Sequence, residues 1–152
     1  ITALCDAATE QAGKLNILGA FDSIQSPKFP FVHPQCAFVC RIRFSRIEQG
    51  EHSFKLDFID QDGKSLVPPL QANINISFPE GVDSQVSNMI LNMQGLKFDK
   101  PGKFLFELAI NNRQEASLPL YIRKIKLPQS HSNKQDTFFG EEPRLPDDTE
   151  LN

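Results

Sequence analysis

Cys36-Ala37-Phe38-Val39-Cys40-Arg41-Ile42-Arg43-Phe44 sets apolar side chains at its even positions against a more polar odd series. After Ile47-Glu48-Gln49-Gly50 the same beat resumes as Phe54-Lys55-Leu56-Asp57-Phe58. Successive side chains of a strand point to opposite faces, so a period of two gives each segment one apolar face for a core. The stretch from Gln35 to Asp60 therefore predicts a β-hairpin laid on a core.

The same pattern extends in both directions. Thr2–Ala8 and Leu15–Ile24 flank Gln11-Ala12-Gly13-Lys14, where Gly13 suits a positive φ, and predict a second hairpin. Pro27, Pro30 and Pro34 punctuate Ser26–Pro34, an expected crossover between sheets without regular pairing. Asp60-Gln61-Asp62-Gly63 turns the chain into a short strand, Lys64–Val67, that Pro68-Pro69 ends. Strands are then expected at Leu70–Phe78, at Gln85–Phe98 (with a helical turn possible around Ile90), at Lys103–Ile110 and at Ala116–Arg123. Pro119 cannot donate to a ladder and argues for an edge or a bulge in the last one.

About eight short strands without an amphipathic helix predict an all-β, antiparallel two-sheet β-sandwich, immunoglobulin-like in its Greek-key order. A jelly-roll or C2-like sandwich is the alternative, because alternation does not encode strand order. The domain is expected over residues 1–126. Residues 127–152 read as an acidic C-terminal tail too polar to keep a fold of its own.

Composition narrows the function classes. Ile1–Lys126 holds fourteen bases against thirteen acids, and Leu127–Asn152 two against six, so no global field draws nucleic acid or anionic lipid to the body. Thirteen Phe, one Tyr and no Trp place the aromatic volume in side chains suited to a core. Three cysteines, an odd number, favour a reducing, cytoplasmic compartment. No apolar run reaches the roughly 18 residues of a bilayer span.

The candidate sites are few. His33-x-x-Cys36-x-x-x-Cys40, with Cys5 and His52 as further candidate ligands, is the nearest approach to a zinc cluster, yet four residues of strand part Cys36 and Cys40 by about 13 Å. Core packing is the simpler role for them. Asp60 and Asp62 are weak calcium candidates, since Asp60-x-Asp62-Gly63 starts like a calcium loop but lacks the later ligands. Cys5-Asp6 with His33 or His52 is the least unfavourable nucleophile-base set, and no elbow or phosphate-binding glycine motif accompanies it. Arg41 and Arg43, with Arg46, form a candidate partner-binding patch for an anion or an acidic peptide if Arg123, Lys124 and Lys126 lie beside them. Phe138 and Phe139, an aromatic pair in the acidic tail, are candidates for docking into a protein partner. Asn75-Ile76-Ser77 matches a glycosylation sequon inside an expected strand.

Leu4-Cys5-Asp6-Ala7, Gly13-Lys14-Leu15-Asn16-Ile17-Leu18-Gly19-Ala20-Phe21-Asp22, His33-Pro34, Asn92-x-Gln94-Gly95-Leu96 and Leu118-Pro119-Leu120 resemble a family of short bacterial proteins. That family is known only as a domain of unknown function. The resemblance spans about Ile1–Arg123 and implies a small bacterial cytosolic β-sandwich, with no catalytic residues to carry over. Within it Gly13 shapes a hairpin, Gly19 permits close approach of a neighbouring strand, and Asp6 and Asp22 are placed to answer each other. The expected function is a non-catalytic interaction or accessory module, binding a protein through the tail or a sheet edge, with no cofactor, nucleic acid or membrane. Small-ligand or calcium binding at a loop end is the alternative, and a Cys5-dependent enzyme a remote one.

Overall fold

Nine strands and one short 3-10 turn, Arg46–Glu48, organise the described residues. They are seen in a computed structural model that describes residues 1–126. The strands are β1 (Thr2–Gln11), β2 (Lys14–Phe21), β3 (Ser23–Ser26), β4 (Phe31–Ser45), β5 (Gly50–Asp60), β6 (Leu70–Ile76), β7 (Ser84–Phe98), β8 (Gly102–Ile110) and β9 (Arg113–Lys124). One sheet has the order β2-β1-β4-β7 and the other β3-β9-β8-β5-β6. Among the described residues no helix is long and apolar enough to cross a membrane.

The alternation of residues 36–58 holds, but the hairpin it predicts does not form. β4 pairs with β1 and β7, whereas β5 pairs with β6 and β8, so the chain crosses from one sheet to the other between them. The crossing is fixed locally. Ser45 N–H and Oγ both donate to the Glu48 carboxylate at 2.8 and 2.7 Å, and the Arg46 N–H donates to the Asp83 carbonyl at 3.0 Å. A period of two tells which side chains face the core, not which strand lies alongside, and two strands facing each other across a core carry the same pattern as two that pair.

The second sheet is not wholly antiparallel either: β3 runs parallel to β9, Ser23 opposite Tyr121 through Ser26 opposite Lys124. Phe31–Pro34 belongs to β4 rather than to an unpaired crossover, with Phe31 opposite Phe98 and His33 opposite Leu96. Lys64–Val67 forms no strand, only the isolated bridge between Ile59 and Ser65. Ile90 sits in continuous β7, with no helical turn around it. Pro119 lies in the part of β9 that β3 does not reach, since β3 joins only from Tyr121 on.

The two sheets face each other across one core. Phe38 and Phe98 of the first meet Phe58, Phe104 and Phe106 of the second, with ring centroids 5.9 Å apart for Phe38 and Phe106 and 4.1 Å for the stacked Phe58 and Phe106. Burying each such ring contributes about 1.5–3 kcal/mol.

A second, smaller cluster lies on the outer face of the first sheet, where Cys5, Ala37 and Val39 are fully buried beneath Ala8, Leu15 and Ile90. The β1–β2 hairpin covers it. β1 runs away from Arg41 along β4, from Thr2 opposite Cys40 to Cys5 opposite Ala37. Yet the Gly13 carbonyl at the hairpin tip accepts from Arg41 Nη1 at 3.0 Å and Asn88 Nδ2 at 3.2 Å, so the hairpin folds back over the sheet. The bend lies where Asp6 stands opposite Gly19, whose φ is +65°. Asp6 fills the space a Cβ on Gly19 would take.

Candidate functional site

One concavity lies at the end of the molecule where the β5–β6 and β7–β8 connections meet. It encloses about 300 Å³ and is walled by Asp60–Leu66 on one side and Lys97–Phe104 on the other. Phe98 and Phe104, both buried with centroids 5.2 Å apart, give it an apolar floor beside Leu66 and Pro101. Lys64, Lys97, Lys100 and Lys103 stand around it. Lys97 pairs with Asp99 at 3.2 Å, while Lys64, Lys100 and Lys103 make no ion pair among the described residues.

Both calcium candidates line this cavity, but their geometry serves a turn. Asp60 Oδ1 accepts the backbone N–H of Asp62 and of Lys64, each at 2.9 Å, an Asx turn that holds the loop closed. Asp62 is exposed beside the lysines, whose charge opposes a divalent cation. Among the described residues no group of three or more His, Cys, Asp or Glu side chains is placed to hold a metal ion.

A second concavity of about 400 Å³ lies at the opposite end, between the β4–β5 crossing and the β8–β9 turn. Its polar groups answer one another. His52 Nδ1 accepts from Asn111 Nδ2 at 2.9 Å, so Nε2–H donates to the Glu48 carbonyl at 2.6 Å. Hydrogen bonds from the Ser45 N–H and hydroxyl hold the Glu48 carboxyl below the usual carboxylate range. The Glu115 carboxylate beside Arg113 raises that guanidinium's pKa. His52, a candidate base in the sequence, is thus a built-in strut; that role left no mark in the sequence because its ties come from the Glu48 backbone and from Asn111, far along the chain.

The cysteine set offers no nucleophile. Cys36 and Cys40 face the core and Cys5 the outer cluster, and all three are free thiols. Burial pushes Cys36 and Cys40 up to about 11 and raises Cys5 as well, the Asp6 carboxylate adding to the rise at Cys5 and Cys36. A protonated, buried thiol is neither a ligand nor an attacking group. Burial lowers the His33 pKa against the pull of Asp6, and the ring packs edge-on to Phe21 at 5.9 Å.

The arginines hold the fold at one atom each. Arg41 Nη1 donates to Gly13 and to Asn88 Oδ1 at 2.8 Å, Arg43 Nη1 to Ser84 Oγ at 2.7 Å, and Arg46 Nη1 to the Val82 carbonyl at 3.1 Å. Arg123 and Lys124 lie on β9 of the other sheet, beside β3. Among open edges β2 is the most apolar, with Leu18 70% exposed. Phe138 and Phe139 lie outside the described residues.

A family model described as "Family of unknown function (DUF6941)" matches residues 1–123, the span that carries both sheets up to the end of β9. No curated protein matches the chain.

Proposed function

We propose, for a chain that belongs to the DUF6941 family of unknown function, a non-catalytic interaction module built as an immunoglobulin-like β-sandwich. Its binding site is the lysine-rimmed cavity, and its ligand an acidic peptide segment that carries an aromatic side chain. The strand order supports the fold: β1-β4-β7 against β9-β8-β5 follows the A-B-E and G-F-C layers of that architecture, with β6 and the parallel β3 at the edges. Three unpaired thiols suit a cytoplasmic setting.

One observation carries the functional part: a Phe98–Phe104 floor beneath Lys64, Lys100 and Lys103, ammonium groups without an ion-pair partner among the described residues. A ring entering the cavity gains from leaving water and from edge-on contact with the floor. Flanking carboxylates gain from the rim. A small organic anion is the second reading, favoured by the modest volume of about 300 Å³.

The test is a titration of isotope-labelled full chain, monitored by amide NMR. The probes are a short peptide of carboxylates flanking two phenylalanines, its serine counterpart, citrate and calcium. Saturable shifts confined to residues 60–66 and 97–104 with the aromatic peptide alone support the reading. The same shifts with citrate and the serine peptide favour the small anion. If those loops respond to none of the probes, even at millimolar concentration, both readings fail.

A further inference from the structure

Charge is sorted between the two ends of this molecule. At the end holding the cavity, residues 28, 59–71, 97–103 and 123–126 place eight lysines and arginines against three aspartates. At the other end, residues 43–52, 75–85 and 108–115 place five acids against three arginines. One end is therefore net positive and the other net negative.

The negative end also carries the most exposed large apolar side chain among the described residues, Ile47 at 94%, on the 3-10 turn of the β4–β5 crossing. A single exposed isoleucine needs no explanation; its setting gives this one a use. Val82, also exposed, lies on the adjoining β6–β7 connection, where the Val82 carbonyl accepts from Arg46 Nη1 at 3.1 Å and the Asp83 carbonyl from the Arg46 N–H at 3.0 Å. The turn itself is closed by the bonds from Ser45 to Glu48. The two loops thus make one braced tip with Ile47 and Val82 on it. Glu80 and Asp83 stand on the second loop and Glu51 just past the first; all three are exposed and, like Lys64, Lys100 and Lys103, make no ion pair among the described residues.

We propose that this tip docks into the cavity of a second copy of the chain. Ile47 of one copy enters over the Phe98–Phe104 floor of the next, and Glu51, Glu80 and Asp83 meet Lys64, Lys100 and Lys103. The inference rests on the reading of the cavity as a site for an apolar side chain among carboxylates, and goes beyond it in naming the chain itself as a partner. A tip already braced by its own hydrogen bonds gives up little conformational freedom on docking, and Ile47 gains in proportion to the apolar area it takes out of water. Because tip and cavity lie at opposite ends, each contact leaves one free tip and one free cavity. Association therefore runs head to tail into open chains and does not close as a two-fold dimer.

Amide NMR on two full-length variants tests this. Ile47→Ser keeps the cavity and lacks the tip, whereas Lys100→Glu/Lys103→Glu keeps the tip and lacks the rim; all three residues are exposed, so neither change touches the core. Unlabelled Lys100→Glu/Lys103→Glu added to ¹⁵N-labelled Ile47→Ser should give saturable shifts at residues 60–66 and 97–104, and the reverse labelling should give shifts at 46–51 and 79–83. The affinity should fall about fivefold or more when the added copy also carries Ile47→Ser. It should fall again between about 0.01 M and about 1 M salt, as the Debye length shrinks from about 30 to about 3 Å. Absence of these shifts, an affinity indifferent to Ile47, or shifts confined to another surface such as residues 14–21 would each overturn the proposal. The carboxylate-flanked phenylalanine peptide, added to the same labelled Ile47→Ser protein, separates the two levels. If the peptide moves residues 60–66 and 97–104 and the second copy does not, only the self-contact falls; if neither moves them, the cavity reading falls with it.

Discussion

Replacing Gly19 by alanine probes the bend on which the outer cluster depends. At φ +65° an L side chain costs about 1–2 kcal/mol from backbone crowding alone. The new Cβ would also lie 2.9 Å from Asp6 Cγ and 3.2 Å from Asp6 Cβ, and would overlap the carboxylate. Swinging Asp6 off its rotamer adds roughly 0.5–1.5 kcal/mol, for a total of about 1.5–3.5 kcal/mol. The steric share vanishes in Asp6→Ala, so Gly19→Ala should cost only about 1–2 kcal/mol in that background. The assay is urea denaturation of the four proteins of the cycle, read as midpoints at constant slope. Neighbours that share a contact are expected to couple. An equal penalty in both backgrounds would refute the role of Asp6 as the group Gly19 yields to. A penalty under about 0.5 kcal/mol in the wild type would refute the need for a positive φ.

Phe106 stacks on Phe58 and faces Phe38 while 1% exposed, so Phe106→Ala should lose about 3–5 kcal/mol in the same denaturation assay. His52→Leu strands Asn111 and the Glu48 carbonyl and should lose about 1–3 kcal/mol, whereas Leu18→Lys on the exposed β2 edge should change stability by no more than about 0.5 kcal/mol. Cys36 and Cys40 ionise near 9.0 in the unfolded chain and at about 11 when folded. Their burial therefore stabilises the fold below pH 9, and this stabilisation drains away as pH rises from 9 to about 11. Urea midpoints across that window should fall less in Cys36→Ala/Cys40→Ala than in the wild type, and a thiol reagent at pH 8 should label none of the three cysteines until the chain unfolds.

The faces of the strands were readable because burial leaves a mark at every second residue. Phe38, Phe54, Phe58 and Phe104 all lie inside, as alternation requires. Neighbours were not readable, because pairing is settled by where the chain turns, and Ser45–Gln49 closes a corner through the Glu48 side chain rather than through a Gly or Asn turn. A weak signal of the folded-back hairpin is present: Ala37, Val39 and Ile90 are apolar residues on faces that should be wet. At the candidate site the Asx turn of Asp60 was legible, since its residue types determine its local hydrogen bonds. The cavity was not, for its walls are 31 to 44 positions apart in the chain and meet only through the register of β5 with β8.

The passage of β4 into β5 across the core also sets how the protein must assemble. The longest ladder, β4 with β7, begins at Ser45 and Ser84, so everything from Arg46 to Asp83 has to be gathered into a closed loop before those strands gain from meeting. The β5–β6 hairpin inside that loop is local and can zip first, shortening the search. Refolding should therefore fall among the slower single domains, on the order of milliseconds to seconds. Substitutions along β4 and β7 should change how long the chain takes to reach its native state more than those in the β1–β2 tip.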